Sequence, residues 1–245
     1  MESFLSFDTR IFRTLWPLIS RPGWLTLEFL AGRRVRYIHP FKLYFAFSVL
    51  LFLALAFSGY MAVRVGSTGD QGVAGIQIDN VSGEQEGDDE PAAESEEPSF
   101  LGRLFQPVGE LAENDPDRLN RLFTDRFAKS VILLVPIFAV LLRVLYWRRR
   151  YVAHLVFSLH LHSFAFFAMT VGLVRDWSTG AAEGQGWGNA VAMSIIAAYS
   201  FFALRRVYGQ GRLMTVLKMG VLLVGYFVAL IVTMALTLAL TAVTA

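Results

Sequence analysis

The chain has 245 residues, 55% of them apolar and 17% charged, with a formal net charge of +2. An ordinary soluble domain is about one-quarter charged, and the mean hydropathy here is +0.48. These values exclude a wholly disordered chain, a collagen-like repeat and a disulfide scaffold, and the lack of cysteine excludes thiolate metal sites and a cysteine nucleophile.

Residues 1–42 carry seven Arg/Lys. Phe4, Phe7, Ile11, Leu15 and Leu18 recur at helical spacing, Pro22-Gly23 interrupts them, and Gly32 marks a helix end. The pattern predicts a cytoplasmic segment of two amphipathic helices on the membrane face, with Trp16, Trp24 and Tyr37 at headgroup level. A cleavable signal peptide is not expected, because a long polar segment precedes the first apolar stretch.

Five windows are apolar enough to cross a bilayer, which needs ~20 residues. They are 43–63, 128–147, 152–174, 188–204 and 214–243, the fourth being the shortest. Between the first two lie a Gly/Ser/Glu/Asp-rich tract, 64–98, and a more apolar stretch, 99–127. The tract is too polar to bury a core and reads as a disordered acidic periplasmic linker. The stretch, with Asp115-Pro116 as a start signal, reads as a periplasmic amphipathic helix. The expected fold is an all-α polytopic membrane protein, five transmembrane helices plus amphipathic interfacial helices.

Charge sets the orientation. Fifteen Arg/Lys and three acids fall on one side of these spans, seven Arg/Lys and seventeen acids on the other. The positive-inside rule therefore places the N-terminus in the cytoplasm and the C-terminus in the periplasm. The basic residues cluster at span ends. Arg33, Arg34, Arg36, Arg148, Arg149, Arg150, Arg205 and Arg206 are expected to contact lipid headgroups, so membrane lipids rather than nucleic acid are the expected partners. Lys218 is expected to snorkel toward the headgroups.

The windows contain no Asp or Glu, and the chain has no Walker loop, Gly-x-Ser-x-Gly or His-Glu-x-x-His. No catalytic residue, metal or cofactor is predicted. Histidine is the remaining chemistry. His154, His160 and His162, with Ser163 and Tyr199, form a candidate intramembrane polar site. Counting from Tyr151 puts His160 and His162 roughly 12–15 Å deep, near the bilayer middle. They lie ~200° apart around a helix, so one metal cannot take both. Interhelical hydrogen bonding within the set Ser158, His160, His162, Ser163, Tyr199, Ser200 and Tyr226, a ligand or proton path, and a metal site stay open, in that order. Small residues at Ala190, Ser194 and Ala198, at Ala235 and Ala239, and at Gly220 and Gly225 are expected to let helices pack closely or to form an interface with a second copy.

Several segments together carry a family resemblance. They are Phe7-Asp8, Arg13-Thr14-Leu15, Arg21-Pro22-Gly23, Glu28 to Tyr37, Pro40, Tyr146 to Tyr151, His154 to Phe164 and Ala203 to Gln210. The chain resembles a bacterial inner-membrane family known only as domain of unknown function 3667, over residues ~5–60 and ~128–235. Many members begin with a zinc ribbon of paired CxxC motifs. This chain has no cysteine, so a metal role of that ribbon is not carried over. The resemblance implies no activity, but it places His39, His154, His160 and His162 in family-typical segments.

The function expected from these features is that of a non-catalytic inner-membrane scaffold or envelope-homeostasis protein contacting anionic lipid headgroups. It would work alone, as a homo-oligomer, or with another membrane protein. The alternatives are a small-solute transporter or channel with His160 or His162 on its path and, behind it, a metal- or haem-binding membrane enzyme.

Overall fold

The computed structural model describes residues 2–58, 132–180 and 187–244. The expected linker and periplasmic helix, 64–98 and 99–127, lie outside the described residues, as do the last residues of the first window and the first four of the second. All regular structure among the described residues is helical.

The first two helices are α1, Glu2–Ser20, and α2, Trp24–Leu30, with a 3-10 turn at Arg34–Arg36. Pro22-Gly23 separates them, and Gly23 takes φ 74, which a side chain resists. A Cβ there would also stand 2.9 Å from the Ala203 carbonyl oxygen. The glycine therefore permits both the turn and its close seat on a later helix. α2 closes at Gly32, φ 85, where Arg33 N–H reaches back to the Glu28 carbonyl at 3.1 Å.

α3 is Pro40–Ser58; proline is favoured in the first turn, where its missing N–H is no loss. α4 is Ile132–Leu145, α5 Tyr151–Ser178, α6 Trp187–Tyr208 and α7 Arg212–Thr244. Four segments are long and apolar enough to cross a membrane: Arg34–Leu55, Tyr151–Ser178, Trp187–Tyr208 and Arg212–Thr237. α4 as described is shorter than a span. These apolar helices make the protein a membrane-embedded one.

The chain divides into two contact units, Met1–Met61 with Ala128–Thr233, and Ala62–Phe127 with Met234–Ala245. Among the described residues the second holds only the last turns of α7. The core of the first is built around α5. Two-thirds of the apolar window of α5 is buried (67%), against 11% for α7. Leu18, Leu25, Leu43, Tyr44, Leu142, Leu204 and Leu222 share one buried cluster with its Phe157. α3 and α5 run alongside each other in the same direction, with Tyr44 on Phe166 and Phe47 on Phe167, each pair 5.5 Å between ring centres. The outward residues of α7, including Leu213, Leu217, Val221 and Val224, are apolar, as lipid requires.

Two expectations need correction. The Ala190, Ser194 and Ala198 stripe does not pack helices of the chain together but faces outward, where only the alternative of an interface with a second copy remains; α6 buries Gly188, Ala192, Tyr199 and Ala203 instead. The close approach is made by Gly188 against Gly172, whose added Cβ would lie 2.8 Å from the Gly188 carbonyl oxygen. Gly220 touches nothing within 4 Å and only Gly225 meets a neighbour, Leu141. The other correction concerns acids. The third span was expected to end at Val174, but its helix runs on to Ser178 and carries Asp176 with it. That carboxylate is buried and accepts the first N–H groups of α6, Gly188 at 2.8 Å and Asn189 at 3.2 Å. A negative charge on a helix N-terminus offsets its dipole, so a short tether joins α5 to α6.

Candidate functional site

α5 presents its three histidines in three directions. His162 Nδ1 lies 2.8 Å from the Ser158 carbonyl, which can only accept, so Nδ1 carries the proton. Nε2 is then an acceptor, and the Tyr226 hydroxyl of α7 donates to it at 3.1 Å. Phe138 of α4 stands edge-on to both His162 and Tyr226, 5.4 Å from each. Ser158 also donates to the Val135 carbonyl at 2.9 Å. The result joins α4, α5 and α7.

His160 points the other way. Its Nδ1 lies 3.0 Å from the Thr26 hydroxyl of α2, and its Nε2 is buried with no hydrogen-bond partner. Phe29 stands edge-on to His160 at 6.3 Å and to His39 at 5.7 Å, with the Arg34 guanidinium 5.3 Å from its centre. His39 immediately precedes α3. His160 therefore lies level with the start of α3, not with the middle of a span. A depth counted from Tyr151 takes that residue as the membrane edge, whereas the 28 residues of α5 extend ~42 Å, well beyond a ~30 Å hydrocarbon layer.

His154 makes the third link. Its Nδ1 is 2.8 Å from the Tyr208 hydroxyl at the end of α6, and its Nε2 has no partner. Tyr208 stacks on Tyr146 at 3.8 Å. Lys218, expected at the headgroups, turns inward instead: its ammonium sits 4.2 Å from the Tyr146 ring centre and donates to the Leu145 carbonyl at 3.0 Å. The ends of four helices meet here.

Ser163 and Tyr199 belong to none of these groups. Ser163 bonds its own helix at Leu159, 2.7 Å away. Tyr199 stacks on Phe164 at 3.6 Å and donates to the Leu18 carbonyl of α1 at 2.7 Å. Four of the five polar residues thus form separate interhelical links rather than one pocket, Ser163 forming none, and no cluster of three metal-ligating side chains occurs among the described residues. Thr26, Tyr208 and Asp176 escaped the sequence analysis. The first two are partners 134 and 54 residues from their histidines, with no local signal of the pairing.

The eight expected headgroup arginines are all exposed, but two are engaged. Arg33 grips Glu28 through both Nε, at 2.6 Å, and Nη2. That hydrogen bond holds the Glu28 carboxyl below its ordinary value of 4.5. Arg206 donates to the Pro22 carbonyl at 2.9 Å, fixing the α1–α2 turn on α6. Four of the rest stand in two tiers. Arg34 is level with His160, and Arg148, Arg149 and Arg150 precede Tyr151, which lies ~13 Å before His160 along α5.

No curated protein and no solved structure matches the chain. Residues 8–52 match the profile of a family described as protein of unknown function (DUF3667); the segments quoted from 146 onward fall outside that match. Through this stretch, which holds the Arg21-Pro22-Gly23 turn, the Glu28–Arg33 pair and the start of α3, the chain resembles the DUF3667 family.

Proposed function

We propose that the protein is a non-catalytic scaffold or envelope-homeostasis protein of a bacterial inner membrane that holds anionic lipid headgroups at its arginine end. In this reading it has five spans, α4 being part of the second, with a cytoplasmic N-terminus and a periplasmic C-terminus. The observation that supports it is the set of exposed guanidiniums at Arg34, Arg36, Arg148, Arg149, Arg150 and Arg205, at one end of apolar helices. Planar guanidiniums suit bidentate contact with phosphate. Arg33 and Arg206 act differently: they secure the N-terminal helices against the bundle.

The test is the lipid carried by the detergent-purified protein, read by native mass spectrometry. Replacing those six arginines by glutamine is expected to remove most of the bound phosphatidylglycerol and cardiolipin. Unchanged retention would overturn the reading. A small-solute path is the second reading, and the unpartnered Nε2 of His160 favours it. Flux through reconstituted protein that disappears in His160→Ala would promote it; flux indifferent to His160 and His162 would remove it.

A further inference from the structure

α1 has two apolar faces, and the bundle uses one. Thr14, Pro17 and Leu18 are buried, with Ile11 and Leu15 beside them. Thr14 Oγ1 accepts from Ile38 N–H at 3.0 Å, so even its hydroxyl is committed inward. On the other side Phe12, Trp16 and Ile19 are exposed by 73%, 72% and 43%. Their spacing, i, i+4 and i+7, makes one stripe. This is not the face expected to rest on lipid, since Ile11, Leu15 and Leu18 are taken by protein.

The stripe has a charged border. Arg13 and Arg21 join Phe12, Trp16, Pro17 and Trp24 around a shallow groove, and the Arg21 guanidinium lies 5.8 Å from the Trp24 ring centre. No acid occurs from Arg10 to Leu27, and the next, Glu28, is held by Arg33. The surface is thus aromatic, apolar and cationic, the combination that suits the boundary between acyl chains and phosphates.

Its place in the fold says which surface covers it. Tyr199 holds the Leu18 carbonyl and stacks on Phe164, four residues, ~6 Å, further along α5 than His160, so the end of α1 lies past the level at which α3 starts. α6 itself turns Ile195 and Phe202 outward. Lipid that bathes those side chains reaches the outer face of α1 beside them.

We propose that α1 is a half-inserted membrane helix, its Phe12–Trp16–Ile19 stripe in the acyl region of the leaflet at the arginine end and Arg13 and Arg21 on the phosphates of anionic phospholipids. This extends lipid contact to residues that the arginine tiers do not include, so the two readings fail separately.

The chain has no cysteine, so single-cysteine reporters are clean. Phe12→Cys, Trp16→Cys and Ile19→Cys, each labelled with an environment-sensitive fluorophore, are placed as full-length protein in vesicles of phosphatidylcholine and phosphatidylglycerol. Val221→Cys on the outward face of α7 serves as the lipid reference and Gly211→Cys as the water reference. Quenching by nitroxide lipid to the level of Val221→Cys, with little quenching by iodide, is the expected result. Iodide quenching to the level of Gly211→Cys would overturn the proposal. So would protection from both quenchers, which would mean that a second copy or another protein covers the stripe. With Arg13→Gln and Arg21→Gln added, Trp16→Cys is expected to lose most of its lipid quenching; no change would overturn the phosphate contact. Intact quenching at α1 in a protein that lacks the six arginines proposed to hold headgroups keeps this result independent of lipid retention there.

Discussion

Glu28 shows how one side chain ties a segment together. Its backbone carbonyl takes Arg33 N–H, its carboxylate takes the Arg33 guanidinium, and Phe29 beside it meets His160. The Arg33 hydrogen bond lowers its pKa on folding. A carboxylate lowered in this way adds stability above its unfolded pKa and loses it as pH falls through the folded one. Glu28→Gln is therefore expected to be less stable than the native protein at neutral pH, with the gap narrowing as pH drops through and below 4.5. Because Arg33 is half exposed, the gap is small and shrinks in high salt. Thermal unfolding in detergent across that pH range checks it; a gap independent of pH would refute the linkage. Other residues show what the sequence makes legible. The divergence of His160 and His162 follows from helix rotation alone. Their pairings do not: Tyr226 belongs to the polar set expected to bond between helices but nothing pairs it with His162 in particular, and Thr26 is brought to His160 by packing between distant segments.

At the scale of elements, hydropathy locates α3, α5, α6 and α7 because burial in lipid requires long apolar runs whatever the neighbours are. Faces are less legible. α6 is apolar all round, so its small residues at Ala190, Ser194 and Ala198 looked as suitable for packing as Gly188 and Ala192, and only the position of α5 decides between them. That decision has consequences of opposite sign. Gly188→Ala forces a methyl against the Gly172 carbonyl and the Asp176 carboxylate and is expected to cost about 1–3 kcal/mol. Gly220→Ala, with open space around it, is expected to gain about 0.5–1 kcal/mol from helix propensity. Denaturation of the two variants in detergent measures both, and equal effects would contradict the packing described. Asp176 was missed for a related reason: the hydropathy of the run falls before its helix does, so a window ended where the apolar residues ended.

The whole molecule can be read from either end of the membrane. Five spans require opposite sides for the termini, and four require the same side. A phosphatase active only outside the cytoplasm, fused after Ala245, is expected to be active; an inactive but intact fusion would reduce the count to four. Charge asymmetry carries this expectation, because insertion responds to Arg and Lys near the helix ends. The tertiary links were hidden, since they depend on α5 as a common neighbour.

Those links also impose an order in time. Leu18 is held by Tyr199, Pro22 by Arg206 and Thr26 by His160, partners 181, 184 and 134 residues later in the chain. The earlier segment thus waits for later ones to form its seat. Until α5 and α6 have been synthesised and inserted, α1 and α2 lack these seats and have the bilayer to rest on. The outward stripe of α1 would hold them there, so that the finished bundle closes onto a segment already waiting at its edge.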